Sequence, residues 1–556
     1  MHRRRHLLLG VILVLAAGTA APRAADTLDA TQRLAALAEV WGLLKYFHPD
    51  VAQGRDDWDA TLVAEIPRVE SAATKPEFND ELMRFIASAG PQPAVTAGAP
   101  LDQSEFDALF AWIDDATLFD QSTTAALKMI RNAVTPPTNR FVSGAAGVGN
   151  PDFTGEKTYG APNYPSREVR LLALFRYWNM VQYYYPDRDL IDGRWSDTLL
   201  AMIPPFATAG TAAEYYLAVC RLTAAITDTH ASVPSGPSAP GHFGVNMPGL
   251  RIRYIESQTA VTQVFDRFAL GADVRPGDVI ADVDGVAIGD RRAAIRPLVS
   301  GSNEVAQQRV VDLYLLRTNA SSIDLGILRD GVRKTVRMTA FNVSLVLGEG
   351  TAQDALQPTS KMLDGNVGYV NMGLLQIADV GAMMQAFRNT RAIVFDVRNY
   401  PNGTLYAIAQ LLNPEPREFV RFTLPDYRRP GTFLRLAGTT FVVGPSGPTN
   451  DYYRGQVLLL ADERTQSHAE FTLMALKTAP DVTLVGSQTA GADGNVSLIS
   501  LPGAIQTYFS GLGVYFPDGR NTQRVGIVPD IEVHPTIAGI RNGVDEVLQR
   551  ALALVR

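Results

Sequence analysis

The sequence has a single cysteine among its 556 residues, which excludes an intramolecular disulfide and a cysteine-based metal or redox centre. Cys220 lies in the helical pattern YYLAVCRL, where a small core residue is expected. Metal-ligand spacings, phosphate-binding loops and basic patches are missing as well. We therefore expect neither a metal ion nor a cofactor in this protein.

An excess of positive charge is also missing. The 57 acidic residues outnumber the 50 Lys and Arg residues, which gives a net charge of −7 and argues against nucleic acid as a partner. The composition, 46% hydrophobic and 19% charged, is typical of a soluble globular protein. A chain of 556 residues is too long for one hydrophobic core, so we expect about three or four domains.

Long apolar runs are confined to the beginning of the chain, MHRRRHLLLGVILVLAAGTAAPRAAD. A basic start, an apolar middle and a small-residue end predict a secretory signal peptide over residues 1–25. The apolar run is short for a membrane span, although an uncleaved anchor remains open as an alternative, as does a twin-arginine export route. We expect an exported protein, periplasmic or extracellular, without a stable membrane anchor.

An internal repeat occupies the first half of the chain. Trp41, Tyr46 and Pro49 recur as Trp178, Tyr183 and Pro186, always 137 residues later, and the apolar spacing is helical. We interpret the aromatic residues as packing between helices rather than as a ligand site. The predicted units are an N-terminal helical domain (26–135, first copy), a Gly/Pro-rich linker (136–168) and a second helical domain (169–240, second copy).

Short strand patterns follow over residues 245–345. Asp-Gly pairs at 284–285 and 330–331 predict hairpin turns. The piece LGADVRPGDVIADVDGVAI (270–288) resembles a PDZ domain, which binds peptide ends by adding them to a sheet edge. A small β-barrel without a peptide-binding role is the alternative interpretation.

From residue 355 to residue 556 apolar runs alternate with helical patterns, which predicts βα units around a buried sheet. One junction stands out, DERTQSHAEFTLMALK (462–477), in which Ser467 lies between a buried strand and a helix. Ser467 can be an N-cap, with Glu470 completing a capping box. It can also be a nucleophile whose oxyanion is bound by free amides at the helix start.

Several motifs in fixed order connect this junction to a known family. They are GYV (368–370), DVRNYPNG (396–403), TQSHAE (465–470), VGSQTAGADG (485–494) and GIVPDIEV (526–533). Residues 366–535 thereby resemble the tail-specific (C-terminal processing) serine protease family. The resemblance implies the right-handed ββα spiral shared with ClpP and crotonases, within a multidomain α+β protein. It also implies that Ser467 is the nucleophile.

The general base differs between branches of that family. One branch uses a lysine, but Ala492 occupies that position here. The other branch, resembling the tricorn protease core, uses a His that follows a hydroxyl residue, which corresponds to His230 after Thr229. The family's remaining polar member, a Glu, is replaced by Gln523, so the resemblance implies an altered catalytic tetrad.

Elimination among the seven histidines also favours His230. His2 and His6 leave with the signal peptide, and His468 adjoins Ser467 on one helix, where neighbouring side chains point to different sides. His230 instead ends a helical pattern, from which a loop can reach a distant site. A capped surface histidine is the alternative interpretation.

The chemistry implied by these residues is a hydroxyl nucleophile with an imidazole base. His230 takes the proton of Ser467, while Thr229 and Gln523 hold the imidazole. Backbone amides of His468 and of the Asn402-Gly403 turn bind the oxyanion. For Gly403 alone, an ordinary strand-to-helix turn is an equally good explanation.

The sequence therefore predicts an exported serine peptidase that acts on polypeptides, with the substrate tail captured by the PDZ-like domain. The alternative is a catalytically inactive ligand- or peptide-binding relative, as the retinoid-binding proteins of the eye resemble this fold. An acyl-CoA enzyme is disfavoured because CoA is a cytoplasmic cofactor and the chain carries an export signal.

Overall fold

The computed structural model describes residues 28–93, 103–133, 138–160, 162–233, 242–435 and 440–556. The predicted signal peptide lies outside the described residues, as does the stretch 234–241. Within the described ranges, no helix is long and apolar enough to cross a membrane. The chain forms a helical region, an antiparallel β domain and a region of alternating strands and helices.

The helical region consists of two groups of helices joined by an irregular segment. Its helices are α1 Ala30–Phe47, α2 Pro49–Ala52, α3 Trp58–Ser71, α4 Lys75–Ser88, α5 Gln103–Leu109, α6 Gln121–Arg131, α7 Arg167–Tyr184, α8 Trp195–Thr208 and α9 Ala212–Ala224, with 3-10 turns at Ala111–Asp114 and Arg188–Leu190. Between α6 and α7 lie two short paired strands, β1 Ser143–Gly144 and β2 Pro151–Asp152.

The two copies of the repeat have the same side-chain hydrogen bonds as well as the same helices. In the first copy, the indole N–H groups of Trp41 and Trp58 each donate to the other residue's carbonyl oxygen over 3.3 Å. In the second copy, Trp178 and Trp195 make the same reciprocal pair over 2.9 and 3.0 Å. All four indoles are buried, in agreement with the predicted packing role.

A second equivalence involves buried arginines at the start of α1 and α7. Arg33 donates to the carbonyl oxygens of residues 28, 69 and 70, which satisfies backbone groups at the end of α3. Arg170 donates to the carbonyl oxygens of residues 165, 206 and 207, the positions 137 residues later. The duplication read from the sequence is therefore also a duplication of hydrogen bonds.

The described part of the predicted linker is packed against the helical region. Glu156 is buried and its carboxylate lies 2.8 Å from the ammonium group of Lys45 and 3.4 Å from the guanidinium of Arg176.

Cys220 in α9 is also buried, as expected, and burial raises the pKa of its thiol to about 12.

The β domain has one antiparallel sheet with strand order β3-β9-β8-β6-β5-β4, and β7 pairs with β6. Its elements are β3 Asn246–Pro248, β4 Leu250–Ile255, β5 Gln258–Val264, α10 Asp266–Ala269, β6 Val279–Val283, β7 Val286–Ala287, α11 Ile288–Ile295, a 3-10 turn Arg296–Leu298, α12 Glu304–Leu315, β8 Ser322–Arg329 and β9 Val332–Asn342. The predicted Asp-Gly turns connect β6 to β7 and β8 to β9, with positive φ at both residues of each pair.

The sequence analysis recognised only strands in this domain and missed α11 and α12. The signal for α12 is local, because the Asn303 side chain accepts from the Ala306 amide as an N-cap and Glu304 lies in the first turn.

The C-terminal region is built on a six-stranded sheet of order β10-β11-β12-β16-β17-β21. Within this sheet, the neighbouring strands β11, β12, β16, β17 and β21 run parallel to one another, and β10 is antiparallel to β11. The elements of this layer are α13 Val343–Ala355, β10 Ser360–Leu363, β11 Val367–Asn371, a 3-10 turn Ile377–Asp379, α14 Val380–Ala386, β12 Ala392–Asp396, α15 Leu405–Leu412, β16 Gln456–Ala461, α16 His468–Leu476, β17 Val482–Gly486, β21 Ile531–Glu532, α17 Ile537–Arg541 and α18 Glu546–Leu552.

The central strand β16 is buried on both faces. Val457 and Leu459 belong to one hydrophobic cluster, whereas Leu458 and Leu460 belong to another that includes α18. This two-sided burial explains its uninterrupted apolar run. Because β12 and β16 are parallel neighbours, the loops that follow them emerge at the same edge of the sheet.

Two smaller sheets complete the region. One contains β13 Arg417–Pro425, β14 Phe433–Leu434, β15 Thr440–Val443 and β20 Gly513–Tyr515, and the other is the hairpin of β18 Val496–Leu501 and β19 Ile505–Ser510. The hairpin packs into the helical region: Phe509 lies 6.0 Å from Phe153 and 5.7 Å from Tyr185 between ring centroids. The two regions thus share one hydrophobic core.

We predict that Arg33→Met and Arg170→Met destabilise the protein to a similar extent. Each change leaves three carbonyl oxygens without their charged donor, so the free energy of unfolding should fall by about 2–4 kcal/mol. Calorimetry of the full chain measures this effect. Arg84→Met is the control, because Arg84 is exposed and its ion pair with Glu81 is a surface pair within one helix. A lower free energy of unfolding in only one of the two Arg→Met variants would contradict the structural equivalence of Arg33 and Arg170.

Candidate active site

Ser467 lies at the end of the turn that follows β16 and immediately before α16. Its backbone is in an unusual conformation, with φ 57° and ψ −126°. An ordinary N-cap residue has extended dihedral angles, and a residue with a side chain rarely adopts positive φ. A simple capping role therefore does not explain this backbone, whereas a strained serine between a strand and a helix is typical of a nucleophile.

The strained conformation is held by Glu470 and by the segment 489–492. The Ser467 amide donates to the carbonyl oxygen of Ala492 over 2.9 Å and to the Glu470 carboxylate over 3.1 Å. Glu470 is fully buried and also accepts from the amides of Gly491 and Ala492 and from the Thr489 hydroxyl. The predicted capping contact of Glu470 thus fixes two chain segments around Ser467.

The loop that carries His230 reaches the same segment from the helical region. Thr229 and Ser302 exchange hydrogen bonds, with each amide donating to the other residue's hydroxyl over 2.8 Å. The Thr229 hydroxyl also lies 3.3 Å from the carbonyl oxygen of Ala490. Residues 229 and 467 are therefore both anchored on residues 490–492.

The imidazole of His230 is enclosed, with only 9% of its side chain exposed. Nδ1 lies 2.9 Å from the Ser510 hydroxyl and 3.9 Å from a carboxylate oxygen of Asp228. Burial lowers the pKa of His230 below its usual value near 6.5; the Asp228 charge opposes this shift and the Arg309 guanidinium reinforces it. The neutral imidazole that a general base requires is therefore favoured at neutral pH.

Thr229 and Gln523 do not contact the imidazole in the way the resemblance implied. Thr229 is engaged by Ser302, and the Gln523 side-chain amide donates to the Tyr185 hydroxyl over 3.2 Å at the end of α7. The polar groups next to the ring are Ser510 and Asp228 instead. The physical reason is the reach of the β18–β19 hairpin, whose last residue, Ser510, takes the position beside Nδ1.

The predicted oxyanion donors lie at the start of α16 and in the loop after β12. Gly403 has φ +72°, a conformation that favours glycine. The Asn402 side chain donates to the carbonyl oxygens of Gly373 and Leu375, so it shapes the loop. Within the described part of the chain, the amides of His468 and Gly403 make no hydrogen bond, which leaves both as donors.

The two donor-bearing segments are also in contact through side chains. The rings of Tyr400 and His468 lie 6.0 Å apart between centroids. The Thr465 hydroxyl donates to the carbonyl oxygen of Val397 over 2.9 Å, which fixes the turn after β16 against the end of β12. The resulting edge presents amide donors beside a strained serine, an arrangement that suits acyl transfer.

Comparison with known proteins agrees with this geometry. Residues 366–533 match the family model described as Peptidase family S41. The chain carries a serine peptidase domain of family S41. The matched residues begin next to β11 and end next to β21, so they include the parallel strands and Ser467, whereas His230 lies outside them.

Solved structures show the same fold in part. Mature CPAF complexed with lactacystin has a TM-score of 0.55 at 16% identity, with 70% of this chain and 98% of that chain covered. The photosystem II D1 C-terminal processing protease has a TM-score of 0.39 at 16% identity (67% and 96% covered), and the tricorn protease 0.34 at 15% (70% and 37%). Of these three, the CPAF likeness bears on the fold. Among curated protein sequences, none matches the chain.

Sequence reasoning overlooked two groups near the imidazole of His230. Asp228 was visible as a neighbour of His230, but its side chain received no role. Ser510 was missed altogether, although the pattern LISLPGAIQTYFS, with a Pro-Gly pair between alternating apolar residues, indicates the hairpin that carries it. Nothing local in the sequence indicates that this hairpin ends beside a loop 280 residues earlier.

We predict that the acid limb of the kcat/KM profile has its midpoint below pH 6.5, because His230 stays neutral to lower pH than an ordinary histidine. Arg309→Met should move this limb to higher pH, since it removes a positive charge that disfavours the imidazolium form. Arg309→Lys retains the charge and should leave the limb near its original position. An unmoved limb in Arg309→Met would show that another group sets the acid limb.

Proposed function

We propose that this chain is an exported peptidase in which Ser467 attacks the peptide carbonyl and His230 is the general base. The observation that carries the proposal is the strained backbone of Ser467, fixed to residues 490–492 onto which the His230 loop also docks. The export part rests on the signal-peptide pattern of residues 1–25.

The proposed reaction follows from the hydrogen-bonding groups. His230 takes the Ser467 proton as the hydroxyl attacks, and then gives it to the leaving amine. The amides of His468 and Gly403 donate to the oxyanion, and loss of one such donor typically costs about 10²–10³ in rate. Water then repeats the sequence on the acyl-enzyme.

The other predicted site residues have supporting roles in this proposal. Asn402 fixes the loop that presents Gly403, and Thr229 fixes the loop that presents His230. Gln523 acts at a distance, by holding the Tyr185 hydroxyl against the hairpin. Ala492 has no titratable side chain to act as the lysine of the other branch, and its carbonyl oxygen accepts from the Ser467 amide.

The β domain is proposed to capture the polypeptide tail in a PDZ-like manner. Its edge strand β4 and helix α12 both contact the turn that precedes Ser467: Arg253 pairs with Asp462 and Glu463, and Arg309 donates to Gln466. A peptide added beside β4 would thus enter next to the nucleophile.

We predict that Ser467→Ala abolishes hydrolysis of fluorescently labelled casein while the thermal unfolding curve changes little, because loss of one hydroxyl at a helix start typically costs about 1 kcal/mol. A fluorophosphonate probe should label the wild-type chain and neither Ser467→Ala nor His230→Gln. Absence of both labelling and hydrolysis in a folded wild-type protein would favour the inactive binding relative.

We also predict that a model peptide with a free C-terminal carboxylate is cleaved with a KM about tenfold lower than its C-terminally amidated form, at similar kcat, because about 1.4 kcal/mol of tail binding is lost. Steady-state kinetics on the two peptides measure this difference. Equal KM values would contradict tail capture by the β domain.

A further inference from the structure

We infer that Asp228 and Ser510 are the positioning residues of His230, arranged as a relay in which the Ser510 hydroxyl connects the Asp228 carboxylate to Nδ1 of the imidazole. This inference rests on the proposed role of His230 as the base. It assigns to Asp228 the negative charge that Gln523 does not supply.

The Asp228 side chain is fully buried, and its two oxygens accept three hydrogen bonds. One oxygen accepts from the His230 amide over 3.0 Å and from the Ser510 hydroxyl over 3.1 Å. The other oxygen accepts from the Ser510 amide over 2.6 Å. Since an ionised carboxylate can only accept, the 3.1 Å contact with Ser510 is a hydrogen bond when the hydroxyl proton points to Asp228, and we place the proton there.

The tautomer of the imidazole follows from this placement of the Ser510 proton. The Ser510 oxygen has no further proton to give, so over the 2.9 Å contact it accepts, and Nδ1 of His230 carries the proton. Nε2 then retains its lone pair, which is the form needed to accept a proton from a nucleophile. The relay therefore selects the catalytically competent tautomer.

The relay also stabilises the charge that develops on the ring. When Nε2 accepts a proton, the imidazolium lies 3.9 Å from the Asp228 carboxylate, in largely buried surroundings. Electrostatic attraction over such a distance is much stronger inside a protein than in water. Gln523 is neutral and is bonded to Tyr185, so it provides no comparable attraction.

Rigid packing keeps the relay in place. Ser510 is the last residue of β19 and is fully buried. The preceding residue, Phe509, packs against Phe153 and Tyr185 of the helical region. The turn 228–231 is closed by the Ala231 amide, which donates to the Asp228 carbonyl oxygen over 2.8 Å. Both halves of the relay are thereby fixed to one core.

A purely structural role for Asp228 is the competing explanation, because its contact with the His230 amide is an Asx-type turn. The Ser510→Ala variant distinguishes the relay from a purely structural role of Asp228. It removes the relay hydroxyl and keeps the amide that binds Asp228, so the turn and the hairpin contact survive. We expect kcat on labelled casein to fall about 10²-fold with little change in KM, and the acid limb to move to lower pH.

Ser510→Thr restores a hydroxyl and should recover most of kcat. The matched control is Ser497→Ala, which removes a buried hydroxyl from the other strand of the same hairpin, where it accepts from Asn150. Thermal unfolding of all three variants identifies any that fail to fold. Wild-type kcat and an unmoved pH profile in a folded Ser510→Ala variant would overturn the relay.

A second measurement is independent of turnover. Nitrogen-15 NMR of histidine-labelled protein, with the His230 signals assigned by His230→Gln, should show the Nδ1–H tautomer in the wild type and its loss in Ser510→Ala. If the wild type does not hydrolyse peptides yet shows this tautomer, the proposed function fails and the relay stands. If active wild type shows the Nε2–H tautomer, the relay fails and the peptidase assignment stands.

Discussion

The proposed active site depends on the short segment 489–492, which is hydrogen-bonded both to Ser467 and to the loop that carries His230. Glu470 binds this segment through three donors, and its remaining contact is the amide of Ser467. From the other side, the Thr229 hydroxyl reaches the carbonyl oxygen of Ala490. A buried carboxylate satisfied only by such donors is expensive to displace, so nucleophile and base loop are fixed to a common support.

The β domain takes part in the same support. Ser302 holds Thr229, and the next residue, Asn303, donates to the carbonyl oxygens of Thr489 and Arg524. Two consecutive residues at the start of α12 therefore bind the base loop and the nucleophile's support. This connection places the β domain within the architecture of the site, in addition to any role in binding a substrate.

Local patterns predicted the elements of the S41 domain well, because strand and helix periodicities depend on neighbouring residues. The junction at Ser467 was visible in this way, and the choice of His230 came from a motif and from elimination. The partner of its ring was not predictable, since Ser510 reaches it only through hairpin packing across the helical core. Thr229 and Gln523 received the holding role by analogy, and the contacts give that place to other residues.

The two copies of the repeat in the helical region end in different residues. The positions equivalent to Asp228, Thr229 and His230 in the earlier copy are Pro91, Gln92 and Pro93, which offer no acid, hydroxyl or imidazole. In the proposed mechanism, therefore, only the second copy ends in a loop that carries a catalytic group. Substitutions at residues 91–93 are expected to spare the chemistry, whereas substitutions at residues 228–230 are expected to change it.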